Sequence, residues 1–152
     1  MKRDMDMIRA ILMDIEENAN INGKFTISDA DFAVAGAERT AVQYHLRLLL
    51  DAGYIEGRDI LGDAATNAAQ SILKTDSKLS STGIAVLVTR MTWDGHDFLD
   101  TVRDSKIWEK TKDALKGVGG VGVDTIKDVA KEIGKAVINH QVKKHTGIDL
   151  GL

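Results

Sequence analysis

Residues 38–56, ERTAVQYHLRLLLDAGYIE, leave a chain like this little freedom. Wound as a helix at 100° per residue and centred on Val42, the stretch brings Leu46, Leu49 and Leu50 within about 80° of that residue. Thr40, Tyr44, Arg47 and Asp51 fall on the opposite side, with Gln43 on the flank and His45 at the edge of the apolar stripe. Gly53 follows the last apolar turn, where a left-handed residue stops a helix. Tyr54 and Ile55 then begin a strand that Ile60 and Leu61 can continue. The spacing predicts a helix over residues 37–52, running into the first arm of a hairpin.

The return arm is residues 84–91, IAVLVTRM, which are apolar and β-branched. Thr92 can cap a following helix, with Asp94 and Asp97 placed favourably for its dipole. Phe98, Leu99 and Val102 supply that helix's buried face, and Gly95 lets it approach the sheet. Asp104 or Ser105 can restart a helix to about Lys116, with Ile107, Trp108 and Leu115 apolar.

At the amino end, Met5, Ile8, Ile11, Leu12 and Ile15 predict a helix over residues 4–18. Residues 24–36 read two ways: alternation of Phe25 with Ile27 and of Phe32 with Val34 favours short strands, whereas Ser28 can cap a short helix. Residues 62–83 are small and polar, the composition of a long wing loop with at most one marginal helix. Residues 117–122, GVGGVG, read as a hinge. Beyond it Ile126, Val129, Ala130, Ile133, Ala136, Val137 and His140 mark one stripe of a helix over residues 124–145. The expectation is an α+β, mostly helical fold. Residues 1–116 would form a winged helix-turn-helix-like domain with a β-hairpin wing, and residues 123–152 an extra amphipathic C-terminal helix.

Charge limits what such a fold can do. The chain of 152 residues carries a net charge of −3. Residues 1–59 hold seven basic and eleven acidic residues, and residues 123–152 hold five and four. Any nucleic-acid surface must therefore be local. Cysteine is absent, which excludes disulfides, thiolate metal sites and cysteine nucleophiles. The first residues are charged throughout, and no apolar run approaches the ~18 residues of a membrane span. A cytoplasmic location is expected.

The segments MKRDMDMIRAIL, YHLRLLLDAGYIE, MTWDGHDFLDTVRDSKIWEK and GVGVDTIKDVAKEIGK resemble a family of uncharacterised bacterial and phage or prophage proteins, the domain of unknown function numbered twenty-five thirteen. TWDGHDFLD with a nearby IW is the most specific part. The resemblance covers most of the chain and implies a winged-helix-like domain in a phage or mobile-element setting. It implies no activity, and residues 62–83 look longer than the family's wing loop.

The candidate DNA-reading face is Arg39, Thr40, Gln43, Tyr44 and Arg47, since Arg and Gln can pair bidentately with base edges and reach phosphates. Lys74, Lys78 and Arg90 on the hairpin would touch the backbone. The plain alternative is a solvated helix face on a fold used for protein contacts. Asp94, His96, Asp97 and Asp100 include a His–Asp pair on one helix face, but they read better as dipole-compatible acids beside a surface histidine. Gly117, Gly119 and Gly122 match GxGxxG formally, yet they follow a helix, with no βαβ unit around them. His140 and His145 are five apart and do not share a face. The serines between Ser71 and Ser81 lack a base placed by motif. The sequence thus points to a non-catalytic protein without cofactor or metal. Double-stranded DNA is the leading partner, a host or phage protein the alternative, and residues 124–145 a possible homodimer contact.

Overall fold

The computed structural model describes residues 1–18, 27–28, 37–59, 86–118 and 121–152, and of residues 27–28 the backbone alone. Among the described residues, five helices and a small antiparallel sheet make the chain α+β and mostly helical. In order they are α1 (Met5–Asn18), β1 (Ile27–Ser28), α2 (Arg39–Asp51), β2 (Ile55–Asp59), β3 (Val86–Met91), α3 (Trp93–Val102), α4 (Ser105–Ala114) and α5 (Val123–Thr146). They gather into two compact units, Met1–His96 and Asp97–Leu152, and α3 runs from one into the other.

The first unit is built by the apolar stripes read from the sequence. Ile8, Ile11, Leu12 and Ile15 of α1 are buried, as are Val42, Leu46 and Leu49 of α2, Ile55 of β2, and Val86, Val88 and Met91 of β3. Burying each such side chain is worth roughly 1.5–3 kcal/mol. Truncating Leu46 to Ala would cost about 2–5 kcal/mol, because its site is fully enclosed. Local chemistry fixes the ends. The Asp4 carboxylate accepts from the amides of Asp6 and Met7 and starts α1. Gly53 takes φ +72 and ends α2, and Tyr54 N–H closes the turn onto Leu49.

β3 lies between β1 and β2, and both pairings are antiparallel. Ile27 faces Val88, and Ile55 faces Met91, with a register shift between Glu56 and Gly57. Ile27 and Ser28 are therefore extended; the rest of the ambiguous stretch 24–36 lies outside the described residues. So do the proposed wing loop 62–83 and the first residues of the predicted return arm.

The second unit contains a helical hairpin. Asp104 caps α4 through the amides of Lys106 and Ile107. Trp108 and Thr111 of α4 and Ile126 and Ala130 of α5 are buried, and Thr111 returns its hydroxyl to the Ile107 carbonyl. A methyl group at Gly134 would sit in ordinary contact, 3.6 Å from Ile107 Cδ1, so α5 passes alongside α4 there. α5 has 24 residues against 10 in α4. At 1.5 Å per residue it outruns its partner, and its last turns are largely exposed. Gly147 at φ +73 stops it, and the tail folds back: Asp149 accepts from Asn139 and Lys143.

Candidate functional site

The outward side of α2 carries five of the residues singled out from the sequence. Arg39 and Thr40 are exposed; Gln43, Tyr44 and Arg47 are half-buried. The helix presents them because Val42, His45, Leu46 and Leu49 take the inward side. His45, expected at the edge of the stripe, is only 1% exposed. Its Nε2 accepts the Asp4 amide at 2.8 Å, and its Nδ1 lies 2.7 Å from the Ala41 carbonyl. A neutral ring protonated at Nδ1 serves both bonds. His45 thus ties α2 to the start of α1, a tie 41 residues long that no local pattern reveals. The Tyr44 ring meets the His45 ring edge-on at 5.2 Å.

The cations of the candidate face are engaged within the chain. Arg47 forms a fork with Asp59 of β2, Nε to Oδ2 at 2.5 Å and Nη2 to Oδ1 at 3.1 Å. These side chains are 35% and 26% exposed, so water screens the pair only in part. Arg90 of β3 makes a second fork, to both carboxylate oxygens of Glu56, its direct cross-strand neighbour. That pair is more than half exposed and contributes about 0–1 kcal/mol. Both acids lie on β2. Lys74 and Lys78 lie outside the described residues, so of the hairpin candidates only Arg90 is placed. Arg47 and Arg90 therefore reach the surface already paired with carboxylates.

The acids around α3 also have partners. His96 Nδ1 lies 3.7 Å from Glu16, Asp97 3.6 Å from Lys127, and Asp100 2.8 Å from Arg103. Among the described residues no group of three or more His, Asp or Glu side chains is placed to hold a metal. Burial pushes the Asp14 carboxyl above its ordinary pKa of 3.8, with Asn18 opposing and Glu17 assisting. Of the glycine motif, Gly117 takes φ +86 and Gly122 precedes α5 in extended conformation, with Gly119 outside the described residues.

One feature escaped the sequence reading. Trp93, in the first turn of α3, is 84% exposed, more than any other large apolar side chain among the described residues. Its place directly after the Thr92 cap was the available signal, because a first-turn residue need not face the core. On α5, Ile133 and Val137 are half-buried, and Ala136 and His140 are exposed; with Lys110 they line a shallow groove. No helix among the described residues is long and apolar enough to cross a membrane.

Comparison with known proteins adds a family and no activity. No solved structure matches the chain. An uncharacterised protein of Haemophilus influenzae (strain ATCC 51907 / DSM 11121 / KW20 / Rd) is 31% identical over 134 residues, covering 88% of this chain and 95% of that protein. The family model described as "Hypothetical protein (DUF2513)" matches residues 2–122, from before α1 to the start of α5. The chain belongs to that family, as the quoted segments led us to expect.

Proposed function

We propose that the chain is a non-catalytic winged helix-turn-helix protein of a phage or mobile element, which binds double-stranded DNA with α2 in the major groove. The observation that carries this reading is the order of the first unit. A helix, a short strand, α2 and then the antiparallel pair β2–β3 follow one another, with β1 added to the outer side of β3. A winged helix shares the reading helix and the hairpin that follows it, the helix entering the groove and the hairpin touching phosphate; the residues where it would set a further helix before α2, 29–36, lie outside those described. Arg39, Thr40, Gln43, Tyr44 and Arg47 would line the contact. The test is titration against pooled duplex DNA at low salt. Salt-dependent binding that Arg47→Glu weakens at least tenfold is expected. Absence of binding, or binding indifferent to that charge reversal, defeats the reading.

A second reading is favoured by specific observations. Arg47 and Arg90 are neutralised by β2, the amino-terminal residues are acidic, and Trp93 stands in solvent. An exposed aromatic beside a weakly charged surface suits a protein partner. Here the same fold would serve as an adaptor for a host or phage protein. A stoichiometric partner recovered by pull-down and unaffected by DNase would support it.

A further inference from the structure

Resting on the DNA reading, we infer that Asp59 occupies the anion site on Arg47 that a DNA phosphate takes in the complex, so that β2 holds the reading helix in a self-satisfied state. The fork between them is the geometry a guanidinium offers equally to a carboxylate or a phosphate. Arg47 sits in the middle of the outward side of α2, and Asp59 is the last residue of β2. The guanidinium is thereby oriented before any ligand arrives, and its charge is cancelled. A phosphate entering the site exchanges with the carboxylate: Asp59 is released to water and Arg47 keeps two charge-assisted hydrogen bonds. The side chains are 35% and 26% exposed, so the exchange requires no opening of the core.

The inference predicts a gain of function. Asp59→Asn removes the competing charge and leaves a side chain of the same shape. Binding to duplex DNA at low salt should tighten about three- to tenfold, because no carboxylate has to leave Arg47, while the same phosphate contact is made in both complexes. Asp51→Asn supplies the same change in net charge on an exposed residue at the end of α2 and controls for it. The double variant Arg47→Gln/Asp59→Asn should lose the gain, and circular dichroism of each variant shows whether it is folded. A larger gain for Asp59→Asn than for Asp51→Asn, abolished in the double variant, supports the exchange. Equal gains, or none, overturn it while leaving wild-type DNA binding in place. If neither the wild type nor any variant binds at low salt, the DNA reading has failed and the exchange fails with it.

Discussion

Adding one methyl group at Gly95 should destabilise the first unit, although it improves the local helix propensity. Gly95 is buried at the third position of α3, and its amide donates to the Thr92 hydroxyl at 3.1 Å. A Cβ there would be driven into the carbonyl oxygen of Tyr54 and against Met91 Cγ. The Tyr54 carbonyl cannot simply retreat. It accepts the Thr92 amide at 3.0 Å, and Thr92 also donates its hydroxyl to the Gly53 carbonyl at 2.6 Å. Shifting α3 therefore strains two bonds that fasten it to the end of α2.

Overpacking of this kind costs about 1–3 kcal/mol. Each weakened hydrogen bond adds about 1 kcal/mol. Against this, replacing Gly by Ala in a helix returns about 1 kcal/mol. The balance is a loss of about 2–4 kcal/mol for Gly95→Ala. Gly53→Ala makes a useful contrast. Nothing lies within 4 Å of its added methyl, and the cost is the positive φ alone, about 1–2 kcal/mol. Native-state hydrogen exchange at the amides of Leu46 and Val88 reads the stability of this unit directly. Gly95→Ala should accelerate it at least as much as Gly53→Ala, and the Thr92 amide should lose protection. A Gly95→Ala protein as stable as the wild type, with Thr92 still protected, would refute the close approach of α3 to Tyr54.

Other expectations test separate parts of the structure. His45→Leu keeps the volume roughly filled but leaves the Asp4 amide without its acceptor, so a loss of about 1–3 kcal/mol in urea unfolding is expected; an unchanged midpoint would mean the bond contributes nothing. The Asp149 carboxyl is held below its ordinary pKa of 3.8, first by the Lys143 ammonium, then by the Gly151 amide and the Asn139 side chain. Because the folded value is the lower one, the tail's contribution is full above pH 3.8 and is lost as pH falls through the depressed value. The Gly151 amide resonance should follow that transition, and a midpoint at or above 3.8 would contradict the clasp.

The parts legible in the sequence were those decided within a few residues. The α2 stripe follows from Val42, Leu46 and Leu49; the stop from Gly53; the restarts from Thr92 and Asp104; and the tolerance for close packing from Gly95. Apart from Gly95, whose close neighbour is the Tyr54 carbonyl, the partner is the neighbouring turn or the next element. Pairings across the fold were not legible. Arg47 meets Asp59 twelve residues on, Arg90 meets Glu56 across 34 residues, and His45 meets Asp4 across 41. The Arg90–Glu56 pair depends on the hairpin register, the Arg47–Asp59 pair on how β2 leaves α2, and the His45–Asp4 bond on how α1 packs against α2, none of which a composition rule supplies. The sequence accordingly displayed Arg47 and Arg90 as cations facing solvent, whereas the folded chain places an acid against each.

That pairing changes which observation separates the two functional readings. A duplex presents one negative charge per about 1.7 Å of its axis, whereas β2 presents Arg47 with a single carboxylate. At low salt the density of phosphate favours exchange. As salt rises, the entropic gain from released counterions shrinks, while the partly buried intrachain fork is screened less. The carboxylate therefore recovers the guanidinium as salt rises, and DNA binding by the wild-type chain should weaken with salt. An adaptor surface behaves in the opposite way. Contacts centred on a residue such as Trp93 draw on apolar burial, which salt does not weaken. Salt dependence, measured with Asp59→Asn beside the wild type, is thus the axis on which the folded charge arrangement distinguishes a reader of DNA from a partner of protein.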